Sequence, residues 1–334
     1  MFFLSMRCTV AVLLCWIVLS VETTLADEFG CSESARLLRY ACEFDTREGL
    51  FESSAVCSDS SAPEDACFAA AEDEFAENRE ECEDVLEARL EVCEALDDAV
   101  HEPGFGEDFA ANFVDPLLIG NGITPNPYLP LVQGNTWIYE GTSIDEDDGE
   151  EVTEIITVTV TGDTKLIQGI TCLVVNDTAE EDGEVIENTD DWFAQDVDGN
   201  VWYCGEIAEN FETFEGDEPE VPELVDIEGS WKAGREGSKA GMLIPFSPVP
   251  GDVIRQEVAY GEAEDVVEIV SITASESAPG GSCTDTCLHT IDFTPLEPGV
   301  KENKFYAPGI GLIVEVEPET GERLELLEFD GVGS

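Results

Sequence analysis

The chain has 334 residues, 76 of them acidic and 14 basic, for a formal net charge of −62. A surface that negative repels nucleic acid and anionic lipid headgroups, which excludes both as partners, and it attracts cations and hydration water. Two readings of the charge stand open: solubility or life in salty water, sustained by abundant carboxylates and only five lysines, and low-affinity binding of calcium or polycations.

Met1 to Arg7 carries one positive charge, Cys8 to Val21 is apolar, and Thr24-Leu25-Ala26 supplies the small residues that a signal peptidase reads. This predicts a signal peptide over 1–26 and a secreted or periplasmic protein beginning at Asp27. Leu14 before Cys15 argues against an acyl anchor, since a small residue belongs there. An uncleaved anchor is the lesser alternative, because the apolar run falls short of the roughly 20 residues a span needs. No later segment is long and apolar enough, so no stable span is expected after cleavage. Loss of Arg7 and Glu22 with the signal leaves 75 acidic and 13 basic residues, and ten cysteines.

Six of those cysteines organise residues 27–98. Cys31, Cys42, Cys57, Cys67, Cys82 and Cys93 are separated by 10, 14, 9, 14 and 10 residues, a near-palindrome. Folding the chain back between Cys57 and Cys67 levels the two ladders and predicts three nested disulfides: Cys57 with Cys67, Cys42 with Cys82, and Cys31 with Cys93. Such a ladder requires an oxidising compartment. Ser61-Ala62-Pro63-Glu64 reads as a capping-box helix start, and Cys67, Ala71, Phe75, Cys82, Leu86, Leu90 and Cys93 make one apolar stripe. Cys31, Ala35, Leu38 and Cys42 make a similar stripe in the first half, where Gly49 weakens continuity and predicts a bend. Two helices alone bury little, so the disulfides are expected to supply several kcal/mol by restricting the unfolded chain. A zinc site would need paired C-x2-C spacing, and none is present.

Residues 99–133 carry Pro103, Pro116, Pro125, Pro127 and Pro130 among glycines, which predicts a connector with little regular structure. Phe105, Phe109, Phe113 and Leu117-Leu118 predict that it packs along the following domain. From 134 to 334 the pattern is short strands and turns. In Glu151–Gly162, Val152, Ile156, Val158 and Val160 alternate with Thr153, Thr157, Thr159 and Thr161, giving one buried and one wet face. Roughly eleven strands follow, near 135–142, 151–162, 165–176, 184–195, 200–208, 253–260, 264–273, 286–294, 302–306, 311–317 and 322–329. The fold class is therefore α+β: a disulfide-stitched helical hairpin followed by a curved antiparallel sheet, a barrel or half-barrel.

Candidate chemistry is sparse. Of the two histidines, His101 lies in the connector and His289 in a predicted strand, and no nucleophile, zinc-protease or phosphate-loop motif accompanies either. Cys283-Thr-Asp-Thr-Cys287 reads as a small loop staple, while the pairing of Cys172 and Cys204 stays open. Asp145, Asp147 and Asp148 in one acidic turn, and Asp196, Asp198 and Asn200 in another, present the closely spaced oxygens a calcium ion requires, without EF-hand spacing. Paired carboxylates are too abundant to single out an acid and a base. Aromatic residues are more selective: Trp137, Tyr139, Trp192, Trp202, Tyr203 and Trp231 are the candidate lining of a ligand cavity inside the curved sheet.

Several stretches together resemble a known family: Asn126-Pro-Tyr-Leu-Pro-Leu131, Gly134-Asn-Thr-Trp137-Ile-Tyr139, Asp191-Trp-Phe-Ala-Gln-Asp196, Gly199-Asn-Val-Trp-Tyr203, Gly229-Ser-Trp231 and Tyr306-Ala-Pro-Gly-Ile-Gly311. They look like a widespread family of uncharacterised secreted bacterial proteins, over roughly residues 126–328. The resemblance implies a secreted β-rich domain and carries no established activity or catalytic residue; the last stretch is also similar to the closing hairpin of several periplasmic lipoproteins. The leading expectation is a secreted, non-enzymatic binding protein that holds an apolar small ligand or an extracellular partner in the β domain. The alternative is an acidic cation-binding or surface protein, with calcium the one cofactor in view, and the third is a hydrolase using paired carboxylates.

Overall fold

The computed structural model describes residues 30–60, 64–103, 107–144, 151–214 and 216–332. The expected signal peptide over 1–26, the Ser61–Pro63 helix start, Phe105 of the connector and the acidic turn holding Asp145, Asp147 and Asp148 lie outside the described residues. The chain forms two compact units that divide between His101 and Glu102, within the stretch read as connector.

The first unit is two helices, α1 (Cys31–Ser58) and α2 (Glu64–Ala95). Its three disulfides are Cys31–Cys93, Cys42–Cys82 and Cys57–Cys67, with Cα separations of 5.4, 5.9 and 5.6 Å. All three pairings are those the spacing predicts. Gly49 does not bend α1 out of helix; the element runs unbroken for 28 residues. With its helical neighbours already tethered at three points, one glycine's cost of about 1 kcal/mol does not break the helix. Asp98, in a left-handed conformation (φ 53–57° for Asp97 and Asp98), folds back so that its carboxylate accepts the Ser32 amide at 2.7 Å. It thereby caps the start of α1, and that bond holds the Asp98 carboxyl below its ordinary range. The apolar core is small, with Cys31, Ala35 and Cys93 buried and Leu86 and Leu90 packed against them.

The second unit is a single 14-stranded antiparallel sheet. In chain order its strands are β1 (Thr136–Ile144), β2 (Glu151–Ile167), β3 (Ile170–Glu181), β4 (Glu184–Gln195), β5 (Val201–Glu212), β6 (Glu223–Asp226), β7 (Lys239–Ile244), β8 (Val253–Arg255), β9 (Glu257–Val258), β10 (Val266–Ala278), β11 (Gly281–Phe293), β12 (Glu302–Ala307), β13 (Gly311–Val316) and β14 (Arg323–Asp330). They pair in the order β8-β10-β11-β12-β13-β14-β1-β2-β3-β4-β5-β7-β9, with β6 against β5. The two ends of that order, β8 and β9, are separated in sequence only by Gln256. One extended segment therefore pairs with β10 through its first half and with β7 through its second, and it draws the sheet into a nearly closed barrel. Gln256 clasps the seam: its Nε2 donates to Leu243 O at 3.0 Å and to Asp292 Oδ2 at 3.4 Å. Gly241 is required opposite it, because a Cβ there would lie 2.2 Å from Gln256 O. Closure of this kind protects the edges of a wide sheet.

Three elements depart from the sequence expectation. The stretch 165–176 is two strands rather than one, since Gln168 (φ 49°) and Gly169 (φ 88°) turn β2 into β3. Gly169 is ordinary turn chemistry, but glutamine rarely adopts the conformation of Gln168, so the pair does not read as a two-residue hairpin turn. Strands β6 and β7 are additional and short, and β7 is interrupted by Gly241. Finally, Cys283 and Cys287 are joined but not in a loop: both sit within β11, where Cys287 faces Ala274 and Cys283 faces Glu276. Four residues of β11 thus span two of β10, and the disulfide closes the bulge, with Asp285 at its tip in positive φ.

The 107–132 stretch lies on this unit. Its anchor is Asn126, 0 % exposed, whose Oδ1 accepts the amides of Tyr128 and Leu129 while Nδ2 donates to Gly199 O and Ile244 O. Its own amide donates to Gln195 Oε1, and Gln195 returns a bond to Thr124 O. Trp137, Leu131, Leu173, Val201, Ile269, Leu288, Ile313 and Leu326 belong to the one large hydrophobic core.

Candidate functional site

A cleft with convergent polar groups opens beside β4 and β5. It has a volume of about 460 Å³, and its walls include Lys165, Trp192, Glu206, Ile207, Ile227, Trp231, Lys232 and Arg235. Lys165 comes from the end of β2, just before the Gln168-Gly169 turn. Trp192 and Glu206 come from β4 and β5. Ser230 to Ser238 form a loop across the top of β5.

That loop can lie so close to β5 because of Gly205. Its φ is +123°, and a Cβ would stand 2.4 Å from Trp231 O and 2.6 Å from Lys232 Cα. The Glu206 amide donates to Trp231 O and the Ala233 amide to Cys204 O, both at 2.9 Å. Ser230 Oγ accepts the Ala208 amide at 2.9 Å. Arg235 sits on a tight turn in which its amide donates to Lys232 O and its carbonyl accepts from Ser238. The backbone carrying Trp231, Lys232 and Arg235 is thus pinned at both ends.

Trp192, 4 % exposed, is the centre of the cleft's charge. Lys165 Nζ lies 3.4 Å from its ring centroid and Lys232 Nζ 5.7 Å, so one indole holds two ammonium groups. Burial, and then the neighbouring Lys232 charge, lower the pKa of Lys165. Among the described residues, none of Lys165, Lys232 and Arg235 lies within 4.0 Å of a carboxylate oxygen.

Behind the cleft is a buried acidic layer. Tyr203 Oη contacts both Asp191 Oδ1 and, at 2.6 Å, Glu206 Oε2. A phenol carries one proton, so both contacts are hydrogen bonds only when one of the carboxyls is protonated. Burial, and then the Glu206 charge, push Asp191 well above the usual carboxylate range. Burial pushes Glu206 up to about 7. Glu257, which accepts Trp231 Nε1 at 3.1 Å, is raised by burial and by Asp265, and Asp177 is raised by burial to about 7. On the other side of the barrel, Lys304 lies 2.9 Å from Glu302, 3.2 Å from Glu315 and 3.9 Å from Asp292. Burial opposes its charge, but the three carboxylates outweigh burial and raise its pKa well above the ordinary value.

The six aromatics singled out in the sequence do not line one cavity. Trp192 and Trp231 share the cleft, and Tyr203 packs edge-on to Trp231 with centroids 5.5 Å apart. Trp137 stacks on Phe329 and donates to Ile310 O at 2.7 Å, and Tyr139 donates to Leu312 O at 3.2 Å. Both tie β1 to the β12–β13 hairpin. Trp202 packs against Phe109 and Phe113 and donates to Asp196 Oδ2 at 2.9 Å.

In the second acidic turn, Asp196 Oδ1 accepts the amides of Asp198 and Asn200, and Oδ2 accepts Asn200 Nδ2 and Trp202 Nε1. Both of its oxygens are committed to protein donors. Among the described residues, the one grouping of three metal-ligating atoms, from Cys31, Cys93 and Asp98, has its sulfurs in a disulfide. Cys172 and Cys204 are buried thiols, and the Cys172 pKa is raised by its hydrogen bond with Cys204 and by burial. His289 stacks on Phe305 and bonds Asn303 through Nε2, as a strand residue. The three cations of the cleft went unnoticed in the sequence, where they stand 67 and 3 residues apart; the available signal was the scarcity of bases itself.

No protein-family model and no curated protein matches the chain. Among solved structures, the chain is similar to a "putative lipoprotein" from Parabacteroides distasonis, at 12% identity and a TM-score of 0.32, over 62% of this chain and 100% of that one. Among the described residues, no helix is long and apolar enough to cross a membrane.

Proposed function

We propose that this is a non-enzymatic binding protein of an extracytoplasmic compartment, whose barrel unit takes a small ligand in the cleft beside Trp192 and Trp231. The observation that carries the reading is the cleft itself. Its volume of about 460 Å³ lies within the roughly 300–1,000 Å³ of small-molecule sites. Its walls are held by backbone bonds to β5 and by a glycine that admits the loop. Ile207 and Ile227, both exposed at the cleft, offer apolar contact for part of a ligand. Four disulfides fit an oxidising compartment.

The buried carboxyl pair behind the cleft is not itself arranged for hydrolysis. Asp191 and Glu206 meet on a single phenol oxygen, which leaves no room for the water or sugar that carboxylates of glycoside-cleaving sites hold between them.

Native mass spectrometry of the purified full chain, with and without chelator, tests the reading. A retained organic molecule that is absent from the Ile227→Trp variant, in which an indole fills the cleft mouth, is the expected result. Bound calcium that the chelator removes, with a fall in melting temperature, would favour the acidic cation-binding alternative. A bare chain in every sample refutes ligand retention by this cleft.

A further inference from the structure

We propose that the ligand of this cleft carries an anionic group on an apolar body, and that Lys165, Lys232 and Arg235 hold the anion. The inference rests on the reading of the cleft as the ligand site and adds the chemistry of what fills it.

The argument starts from how this chain treats its other cations. The barrel unit has eight basic residues. Lys304 meets three carboxylates, Arg323 two, and Lys239 pairs with Glu102, while Arg255 is also partnered. Lys301 rests singly over the Phe293 ring, with its ammonium 5.5 Å from the centroid. In a protein with 76 acidic residues a carboxylate partner is readily at hand. Yet three cations with no carboxylate in contact converge on one cleft, two of them on one indole. The electron-rich ring face takes the place of a carboxylate: it steadies the ammonium groups while leaving their charge uncompensated. Two like charges around one ring repel, and an anion placed between them and Arg235 relieves that repulsion.

The acidic groups that face the cleft do not cancel this: the Asp190 charge favours the Lys165 ammonium, but burial and Lys232 outweigh it and the Lys165 pKa stays lowered. Glu206 shares the phenol-bridged proton with Asp191, and holds it below a pH of about 7. Glu236 and Glu262 are exposed at the rim, where water screens them. The net charge of −62 repels anions at long range, but at physiological salt that field decays over about 8 Å. Contacts with three cations at the wall survive it. Lysines act as point charges and Arg235 as a planar fork, a combination suited to a carboxylate, sulfate or sulfonate. Ile207 and Ile227 supply the apolar flank.

Two fluorescent probes separate the elements of the claim. 8-Anilinonaphthalene-1-sulfonate and N-phenyl-1-naphthylamine share a ring system and differ in the sulfonate. At about 0.15 M salt and a pH of about 6, the full chain should bind the sulfonate at least about tenfold more tightly. The triple variant Lys165→Gln, Lys232→Gln, Arg235→Gln should erase that preference while keeping the neutral probe. None of the three makes an ion pair among the described residues, and an unchanged melting temperature will show that the variant folds. Equal affinity for the two probes, both lost in Ile227→Trp, overturns the anion claim and leaves the ligand site standing. A sulfonate preference that survives the triple variant overturns it too, because the anion is then held elsewhere. Failure of both probes to bind saturably refutes the cleft as a site and this inference with it.

Discussion

Replacing Glu206 with glutamine should flatten the pH dependence of the barrel unit's stability. Burial raises the Glu206 carboxyl from its ordinary 4.5 to about 7 in the folded state. Between those values the folded chain holds a proton that the unfolded chain has released, so stability falls as pH rises across that window. Below about 4.5 the contribution is fully present, and above about 7 it is lost. At about 1.4 kcal/mol per pH unit the upper bound is about 3 kcal/mol. Glu206 lines an open cleft, and solvent reduces this to about 1–2 kcal/mol. For a unit of this size that is a shift of roughly 2–8 °C in melting temperature. The amide introduced by Glu206→Gln can still accept a hydrogen bond from the Tyr203 hydroxyl but cannot ionise. All four tryptophans among the described residues lie in the barrel unit, so their indole fluorescence follows its unfolding without contribution from the described helices. Melts at pH values of about 4.5 and about 8, on either side of that window, should show the wild-type chain losing more than the variant. Parallel pH profiles for the two chains would refute the claim that this carboxyl is held protonated by its surroundings.

Asn126→Ala should cost about 2–4 kcal/mol, because four bonds from one buried amide vanish and the carbonyls of Gly199 and Ile244 lose a donor; a loss below about 1 kcal/mol in denaturant melts would show that the anchor is dispensable. Gly205→Ala should displace the Trp231–Lys232 segment, since its Cβ would meet Trp231 O at 2.4 Å, and naphthyl probe binding should fall at least about tenfold under conditions where far-UV dichroism still reports a folded sheet. Mild reduction should melt the helical unit, whose core depends on its three disulfides, while the buried Cys283–Cys287 disulfide of the barrel unit resists the reductant and the indole melting curve moves by less than about 2 °C. Cys172 and Cys204, buried with the Cys172 thiol pushed far up, should resist an aromatic disulfide reagent in the native chain and react on unfolding.

The helical unit was the most legible part of the chain because disulfide pairing in an antiparallel hairpin reduces to arithmetic: equal steps from the turn put cysteines at equal height. The strands were legible where hydrophobic residues alternate, as in Val152 to Val160, and illegible where backbone conformation decided, as at Gln168-Gly169. Alternation sends neighbours such as Trp192 and Phe193 to opposite faces but does not reveal which tryptophans meet. That depends on the register break between Asp191 and Phe193 and on Gly205, neither of which a single sequence displays. The carboxyl pair escaped notice for the opposite reason. Among 76 acidic residues two neighbours carry no information until a shared phenol, Tyr203, identifies them.

The same imbalance makes the bases informative. Where acids outnumber bases by more than five to one, a carboxylate can sit almost anywhere without consequence, but a cation lies in an attractive field wherever it is placed. Position, rather than charge balance, then decides what each base does. Lys304 neutralises acids at the barrel wall, where three carboxylates would otherwise face one another unrelieved. Lys165 and Lys232 are in the same field and yet rest on an aromatic face, out of ion-pair contact with the described carboxylates. Burial and the Lys232 charge both work against the Lys165 ammonium, and the Asp190 carboxylate, outside ion-pair contact, offsets them only in part. A fold that needed only solubility would gain by placing those ammonium groups against the surrounding acids, and the anionic ligand proposed for this cleft would supply the counter-charge that the chain does not place in contact with them.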